Sequence, residues 1–174
     1  MHQVPPGHYL IATPGSIRIE KYWDFNYPNE NNNSTMSVEQ ATEQLQTHLL
    51  DAVKTRLRSD VPVGVYLSGG VDSCAVLGMA SELSDNTIDS FTLSFEDKDY
   101  DEGDIARRMS QKVNSNHHEI KITPEQFKKF IPEYISLMDE PVTEAAAISL
   151  FFVAKLAKEK GIVTMIDNTF ASPI

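Results

Sequence analysis

The sequence has one cysteine, Cys74, in 174 residues. A single thiol can form neither an intramolecular disulfide nor a cysteine-rich zinc site, so a stapled secreted scaffold and a zinc finger are excluded and a reducing cytoplasm is the expected setting. Basic residues are also scarce, with 15 Lys and Arg against 25 Asp and Glu, a formal net charge of −10. A general nucleic-acid binder needs cations to replace the counterions along phosphates, so the expected partner is a small molecule and not nucleic acid. No stretch reaches the roughly 18 apolar residues of a bilayer span. The opening Met1-His2-Gln3-Val4-Pro5-Pro6 lacks the basic-then-apolar layout of a signal peptide, and no membrane association is expected. Repeats at a solenoid period are absent, and the one low-complexity patch, the Asn-rich run at 29–34, reads as a linker.

What remains is an ordinary folding composition, 41% hydrophobic and 23% charged, in a length that allows one core plus an appendage. The appendage precedes the linker. Tyr9-Leu10-Ile11, a Pro14-Gly15 turn and the alternation Ile17-Arg18-Ile19 predict a hairpin, followed by the aromatic run Tyr22-Trp23-Asp24-Phe25. A lone hairpin cannot bury its own core in water, so this piece is expected to lean on something else, as the end of a missing domain.

After the linker, Ser37 and Gln40 have capping-box spacing, and Val38, Ala41, Leu45, Leu49, Ala52, Val53 and Leu57 recur at helical intervals, predicting a helix over 37–58. Val63–Leu67 reads as a short buried strand, and Ala75, Val76, Met79, Ala80 and Leu83 as the apolar stripe of a helix over 72–83. The same grammar repeats as a strand at 90–95, a helix at 101–114 and a strand at 118–122. Thr123-Pro124-Glu125-Gln126 then supplies an N-cap, a first-turn proline and a capping-box glutamine for another helix, which Pro132 should kink. A helix over 143–160 ending at Gly161 and a buried strand at 162–166 complete the pattern. Such alternation predicts an α/β fold, an open parallel sheet with helices on both faces, whose ligands lie beyond the carboxyl ends of the strands.

The chemistry concentrates in Leu67-Ser68-Gly69-Gly70-Val71-Asp72-Ser73, a glycine turn between strand and helix. Unpaired amides and the positive end of the helix dipole converge there, the glycines permit close backbone approach, and the hydroxyls of Ser68 and Ser73 can donate to phosphate oxygens. Asp72 would repel phosphate unless a divalent cation lay between them, which assigns it to magnesium. The loop lacks the lysine and spacing of NTPases that attack the γ-phosphate, so a different phosphate is the expected target.

Ser68–Ser73 resembles the Ser-Gly-Gly-x-Asp-Ser loop of the ATP pyrophosphatases, which release pyrophosphate while adenylating a substrate. Within that superfamily, several segments are similar to the asparagine synthetase family in order and rough spacing. They are Val4–Tyr9, Lys21–Asp24, Val61–Val65, Ser90–Phe95, Tyr100–Glu102, His117–Glu119 and Asp139–Pro141, so the resemblance covers residues 4 to 161. It implies a Rossmann-like fold, with 1–35 as the end of a glutaminase-like domain plus linker and 36–174 as a partial ATP-pyrophosphatase domain. It further implies ATP and Mg2+, with Leu67 and Leu93 beside the adenosine, largely through backbone atoms. Ser68, Gly69, Gly70, Val71, Asp72 and Ser73 would hold pyrophosphate, with the metal at Asp72. The family activates the aspartate side chain as an acyl-adenylate for attack by ammonia. Other enzymes with this loop amidate nucleotides or modify tRNA, and a nucleotide-binding fragment without turnover is the remaining alternative.

The chain departs from the family's pattern twice. The glutaminase nucleophile is a cysteine directly after the initiator methionine, where this chain has His2, so glutamine hydrolysis is not expected and ammonia would come from a separate source or a partner glutaminase. The family's later Ser-Gly-Glu-Gly-x-Asp-Glu motif has no counterpart in the tail at 167–174. The acidic run at 96–104 carries its glycine, Gly103, at the seventh place where an EF-hand has it at the sixth and has no closing glutamate, so it reads as a solvated turn before a helix. His117 and His118, adjacent on a strand, should point to opposite faces, and Cys74 reads as a packed residue.

Overall fold

The computed structural model describes residues 3–27, 35–96, 103–138 and 146–162. The chain divides into two compact units, Met1–Thr42 and Glu43–Ile174. In the first, β1 (His8–Thr13) and β2 (Ser16–Lys21) form an antiparallel ribbon from His8 opposite Lys21 to Thr13 opposite Ser16, joined by Pro14 and Gly15. Leu10, Ile17, Ile19, Tyr22, Trp23 and Phe25 are exposed, as a hairpin too small to bury its own apolar residues leaves them.

Helix α1 (Val38–Arg56) starts at the predicted capping box. The Ser37 hydroxyl accepts the Gln40 amide at 3.2 Å, and Gln40 Oε1 accepts the Ser37 amide at 3.0 Å. None of its residues is buried, and of the expected stripe only Val53 and Leu57 pack against the core of the second unit.

That core is built on a parallel sheet in the order β3 (Gly64–Tyr66), β4 (Asp89–Phe95), β5 (Asn116–Ile122). Tyr66 pairs with Phe91, and Phe91 with His118. Helices α2 (Val71–Leu83) and α3 (Gly103–Val113) cover one face, where Leu67, Leu77, Ala80, Ile88 and Ala106 are buried together. Helix α5 (Ala146–Glu159) covers the other, burying Phe91 with Val153, Ala157 and Ile162. The doubly covered parallel sheet is therefore present, and β4 at its centre reads Asp-Ser-Phe-Thr-Leu-Ser-Phe with little exposure on either face.

Helix α4 (Pro124–Leu137) begins at Thr123, whose side chain accepts from the Gln126 amide in a complete capping box. Pro132 lies inside this helix without ending it. Phe130 and Tyr134 of α4 pack with Ile148 of α5, and the Phe130 and Phe151 rings stack at 4.2 Å.

The expected stripe of α2 is corrected: Leu77, which it omitted, is wholly buried, while Val76 and Leu83 are exposed. The buried face runs through Cys74, Leu77 and Ala80, so Cys74 is a packing residue as expected. The strand predicted at 162–166 and the segments at 139–140 and 167–174 fall outside the described residues, apart from Ile162.

Candidate functional site

β3 stops pairing at Tyr66, and the chain leaves the sheet through Leu67. Leu67 is held by β4 on both sides of its backbone: its amide donates to the Phe91 carbonyl at 2.8 Å, and its carbonyl accepts from the Thr92 hydroxyl at 2.7 Å. Gly69 turns the chain with φ +85°, in the left-handed region where a Cβ is disfavoured. Gly70 is the N-cap of α2, extended at φ −68° and ψ 158°, and no side chain caps this helix. The first-turn amides therefore concentrate positive partial charge at the carboxyl end of β3, with Asp72 in the same turn and no side-chain hydrogen bond capping them.

The two serines of the loop meet. Their hydroxyl oxygens lie 3.1 Å apart, the Ser68 amide donates to Ser73 Oγ at 3.2 Å, and the Gly70 amide donates to Ser68 Oγ at 3.3 Å. Ser73 Oγ also donates to the Gly70 carbonyl at 3.1 Å. These bonds brace the turn while the exposed Val71 and Asp72 project from the first turn of α2. No Lys or Arg occurs between Arg58 and Lys98, so what the loop itself offers an anion is amides, hydroxyls and the helix dipole.

A lone exposed carboxylate suits magnesium, which commonly takes one or two carboxylates and completes its shell with substrate phosphates and water. Among the described residues no group of three or more His, Cys, Asp or Glu side chains could hold a metal ion without such help. Asp72 thus fits the metal only together with a phosphate ligand.

Leu67 and Leu93 are not brought together as side chains. Leu67 packs with Leu77 under α2 and α3, whereas Leu93 packs with Phe91 on the α5 side. Thr92 is the residue that sequence reasoning passed over. Its signal was the alternation Ser90-Phe91-Thr92-Leu93-Ser94, hydroxyls in a strand otherwise fit for burial.

The histidines lie away from this loop. His117 Nδ1 is 3.0 Å from Ser90 Oγ, while His118 Nε2 is 2.7 Å from Asp89 Oδ1 and its ring stacks on Phe91, so the adjacent side chains do part company. Burial pushes the His117 imidazole below its ordinary value, and the neighbouring His118 and Arg107 lower it further against the opposing pull of Glu119.

With the geometry in place, comparison with known proteins decides the family. The asparagine synthase family model matches residues 44–168. The chain belongs to the asparagine synthase family. This ligase family has curated members that resemble the chain over most of its length. Asparagine synthetase [glutamine-hydrolyzing] 1 of Bacillus subtilis is 30% identical over 158 residues, which is 90% of this chain and 24% of that protein. Amidase chyE of Penicillium rubens is 33% identical over 183 residues, 97% of this chain and 27% of that protein. The chain thus spans about a quarter of the length of these relatives. Among solved structures, the NH3-dependent NAD synthetase of Campylobacter jejuni matches with a TM-score of 0.48 and 15% identity, over 69% of this chain and 53% of that one. The asparagine synthase match contains the whole Ser68–Ser73 loop and the sheet that carries it. No helix among the described residues is long and apolar enough to cross a membrane.

Proposed function

We propose that the Ser68–Ser73 loop takes the pyrophosphate end of ATP, and that the chain takes part in adenylating a small carboxylate for amide formation, with the aspartate side chain as the leading acceptor. The observation that carries this reading is the uncapped start of α2 at Gly70, at the carboxyl end of a parallel strand, in a chain of the asparagine synthase family.

In this reading the amides of the first turn of α2 bind the β- and γ-phosphate oxygens, and Ser68 and Ser73 turn their hydroxyls to the same oxygens. Leu67 and Leu93 lie beside the adenosine. Asp72 is the magnesium ligand, and the bound ion would neutralise phosphate charge that Asp72 alone would repel. A carboxylate oxygen of the acceptor forms a bond to the α-phosphorus as the bond to the β-bridging oxygen breaks, and pyrophosphate leaves with that electron pair. Ammonia, from a separate source or a partner glutaminase, then attacks the acyl carbon, AMP departs and the nitrogen gives up a proton. The loop's contribution is to bind and orient the leaving group, the kind of preorganisation that supplies much of such catalysis. A reducing cytoplasm is the setting that the lone Cys74 suits.

A second reading changes only the acceptor. The relatives named as amidases match the chain at 33% and 30% identity, as well as those named asparagine synthetase do, which favours testing carboxylates beyond aspartate.

The test is ATP–pyrophosphate exchange by the purified chain with magnesium, first with aspartate and then with other carboxylates, alongside calorimetry of ATP binding. Exchange that requires aspartate and disappears in Asp72→Ala is the expected result. Exchange with a different carboxylate alone would reassign the acceptor, and nucleotide affinity without exchange would leave a binding module. Folded protein with no magnesium-dependent affinity for ATP would sink the assignment of the loop.

A further inference from the structure

Central strand β4 buries hydroxyls at every second position, with Ser90, Thr92 and Ser94 each at most 2% exposed. Burying a hydroxyl is unfavourable unless it is bonded, and the bonds of Ser90 and Thr92 show what each of these two does. Ser90 meets Ser115 Oγ at 2.9 Å and His117 Nδ1 at 3.0 Å, on the β5 side. Thr92 instead donates across to β3, to the Leu67 carbonyl at 2.7 Å.

That carbonyl belongs to the peptide group on which the sheet becomes the loop. The Leu67 carbonyl and the Ser68 amide share one rigid plane. At one end of this plane Thr92 holds the oxygen, and at the other the Ser68 amide donates to Ser73 Oγ at 3.2 Å. Ser73 in turn stands 3.1 Å from Ser68 Oγ, which accepts the Gly70 amide. The orientation of one peptide plane thus sets the register between strand end and helix start, and among the described residues of β4 the side chain that holds its carbonyl is that of Thr92.

We propose that Thr92 is a positioning residue for the Ser68–Ser73 loop, fixing the Leu67–Ser68 peptide so that the loop's amides and hydroxyls are set for a polyphosphate. The ligand part rests on the function proposed above, whereas the effect on loop geometry does not. Thr92→Val keeps the shape of the side chain and removes the donor, and Thr92→Ser keeps the donor and removes the methyl.

Both variants of the full chain would be compared with wild type by amide hydrogen exchange and by calorimetry with ATP and magnesium. In Thr92→Val the Ser68 and Gly70 amides should exchange about tenfold faster and ATP should bind about tenfold more weakly, the scale of one lost buried hydrogen bond, while the β4–β5 ladder keeps its protection. Thr92→Ser should restore both. If Thr92→Val does not fold, Thr92→Cys, with its poor donor, takes its place. Unchanged exchange at Ser68 and Gly70 in the donor-free variant overturns the proposal, as does a Thr92→Ser loop that exchanges as fast as the valine variant. If wild type binds no nucleotide, the functional reading falls, and the exchange comparison still decides the role of Thr92.

Discussion

Gly64 and Phe91 approach each other so closely that a Cβ on Gly64 would lie 2.6 Å from Cε2 of the ring and 3.2 Å from the Asp89 carbonyl oxygen. Phe91 has little room to retreat. It is 1% exposed, stacks on the His118 ring at a centroid distance of 5.0 Å, and packs with Val153 and Ala157 of α5. Asp89 Oδ1 accepts from both Asn116 Nδ2 at 2.6 Å and His118 Nε2 at 2.7 Å, so the starts of β4 and β5 are tied at the same place.

Gly64→Ala should therefore force Phe91 off its seat and destabilise the second unit by about 1–3 kcal/mol, the usual cost of overpacking. Urea unfolding followed by circular dichroism measures it as a lower midpoint at unchanged slope. A midpoint equal to wild type would show that Phe91 gives way freely.

The loop's two glycines should separate in their effects. Gly69 has φ +85°, so Gly69→Ala places an L-residue in the left-handed region at a cost of about 1–2 kcal/mol. Gly70 has φ −68°, open to any residue, and the nearest atom to an added Cβ is Ser68 Oγ at 3.3 Å. Gly70→Ala should cost less, about 0.5–1 kcal/mol for replacing a glycine N-cap by alanine, and weaken ATP binding by crowding the loop. Equal stability loss in both variants would contradict the assignment of backbone strain to Gly69.

The sequence shows much of this architecture because its strongest signals are local. Both capping boxes, Ser37 with Gln40 and Thr123 with Gln126, form as their spacing indicated, since their partners are three residues apart. The strand–turn–helix around Ser68–Ser73 is equally local. The buried face of α2 was misread because apolar residues surround this helix on nearly every side, and only the sheet beneath it selects Leu77 over Val76. The clamp from Thr92 to Leu67 joins positions 25 apart and depends on strand order, which no local pattern reveals. The hydroxyl alternation in β4 was visible, but its target was not.

Arg107 joins α3 to β5. Its Nη1 donates to both carboxylate oxygens of Glu119, at 2.7 and 2.8 Å, and its Nη2 to Asp104. Burial pushes the Glu119 carboxyl up, but Ser94 and the Arg107 guanidinium pull it down more strongly, and it ends below the ordinary carboxylate value. Arg107→Met should raise the Glu119 titration midpoint, read by NMR. A folded pKa below the unfolded one stabilises above the unfolded value and loses that stabilisation as pH falls. The variant should therefore gain less stability than wild type between acidic and neutral pH. An unmoved Glu119 midpoint would show that Arg107 does not set it.

His117 supplies a second pH dependence of the same sign in a different window. Burial is the largest cause of its lowered pKa, with His118 and Arg107 adding to it and Glu119, 3.9 Å from Nε2, opposing. The fold thus prefers the neutral imidazole, whereas the unfolded chain takes up its proton near the ordinary value of about 6.5. Above that pH the contribution is fully present, and it is lost as pH falls toward the lowered folded value, because the unfolded state then binds more protons. Urea midpoints measured from pH 7.5 down to 5 should decline across this window in wild type. In His117→Gln, which retains a polar partner for Ser90 without a titratable ring, that part of the decline should vanish while the more acidic loss from Glu119 persists. If wild type and His117→Gln decline in parallel between about pH 6.5 and 5, the His117 imidazole is not the group responsible.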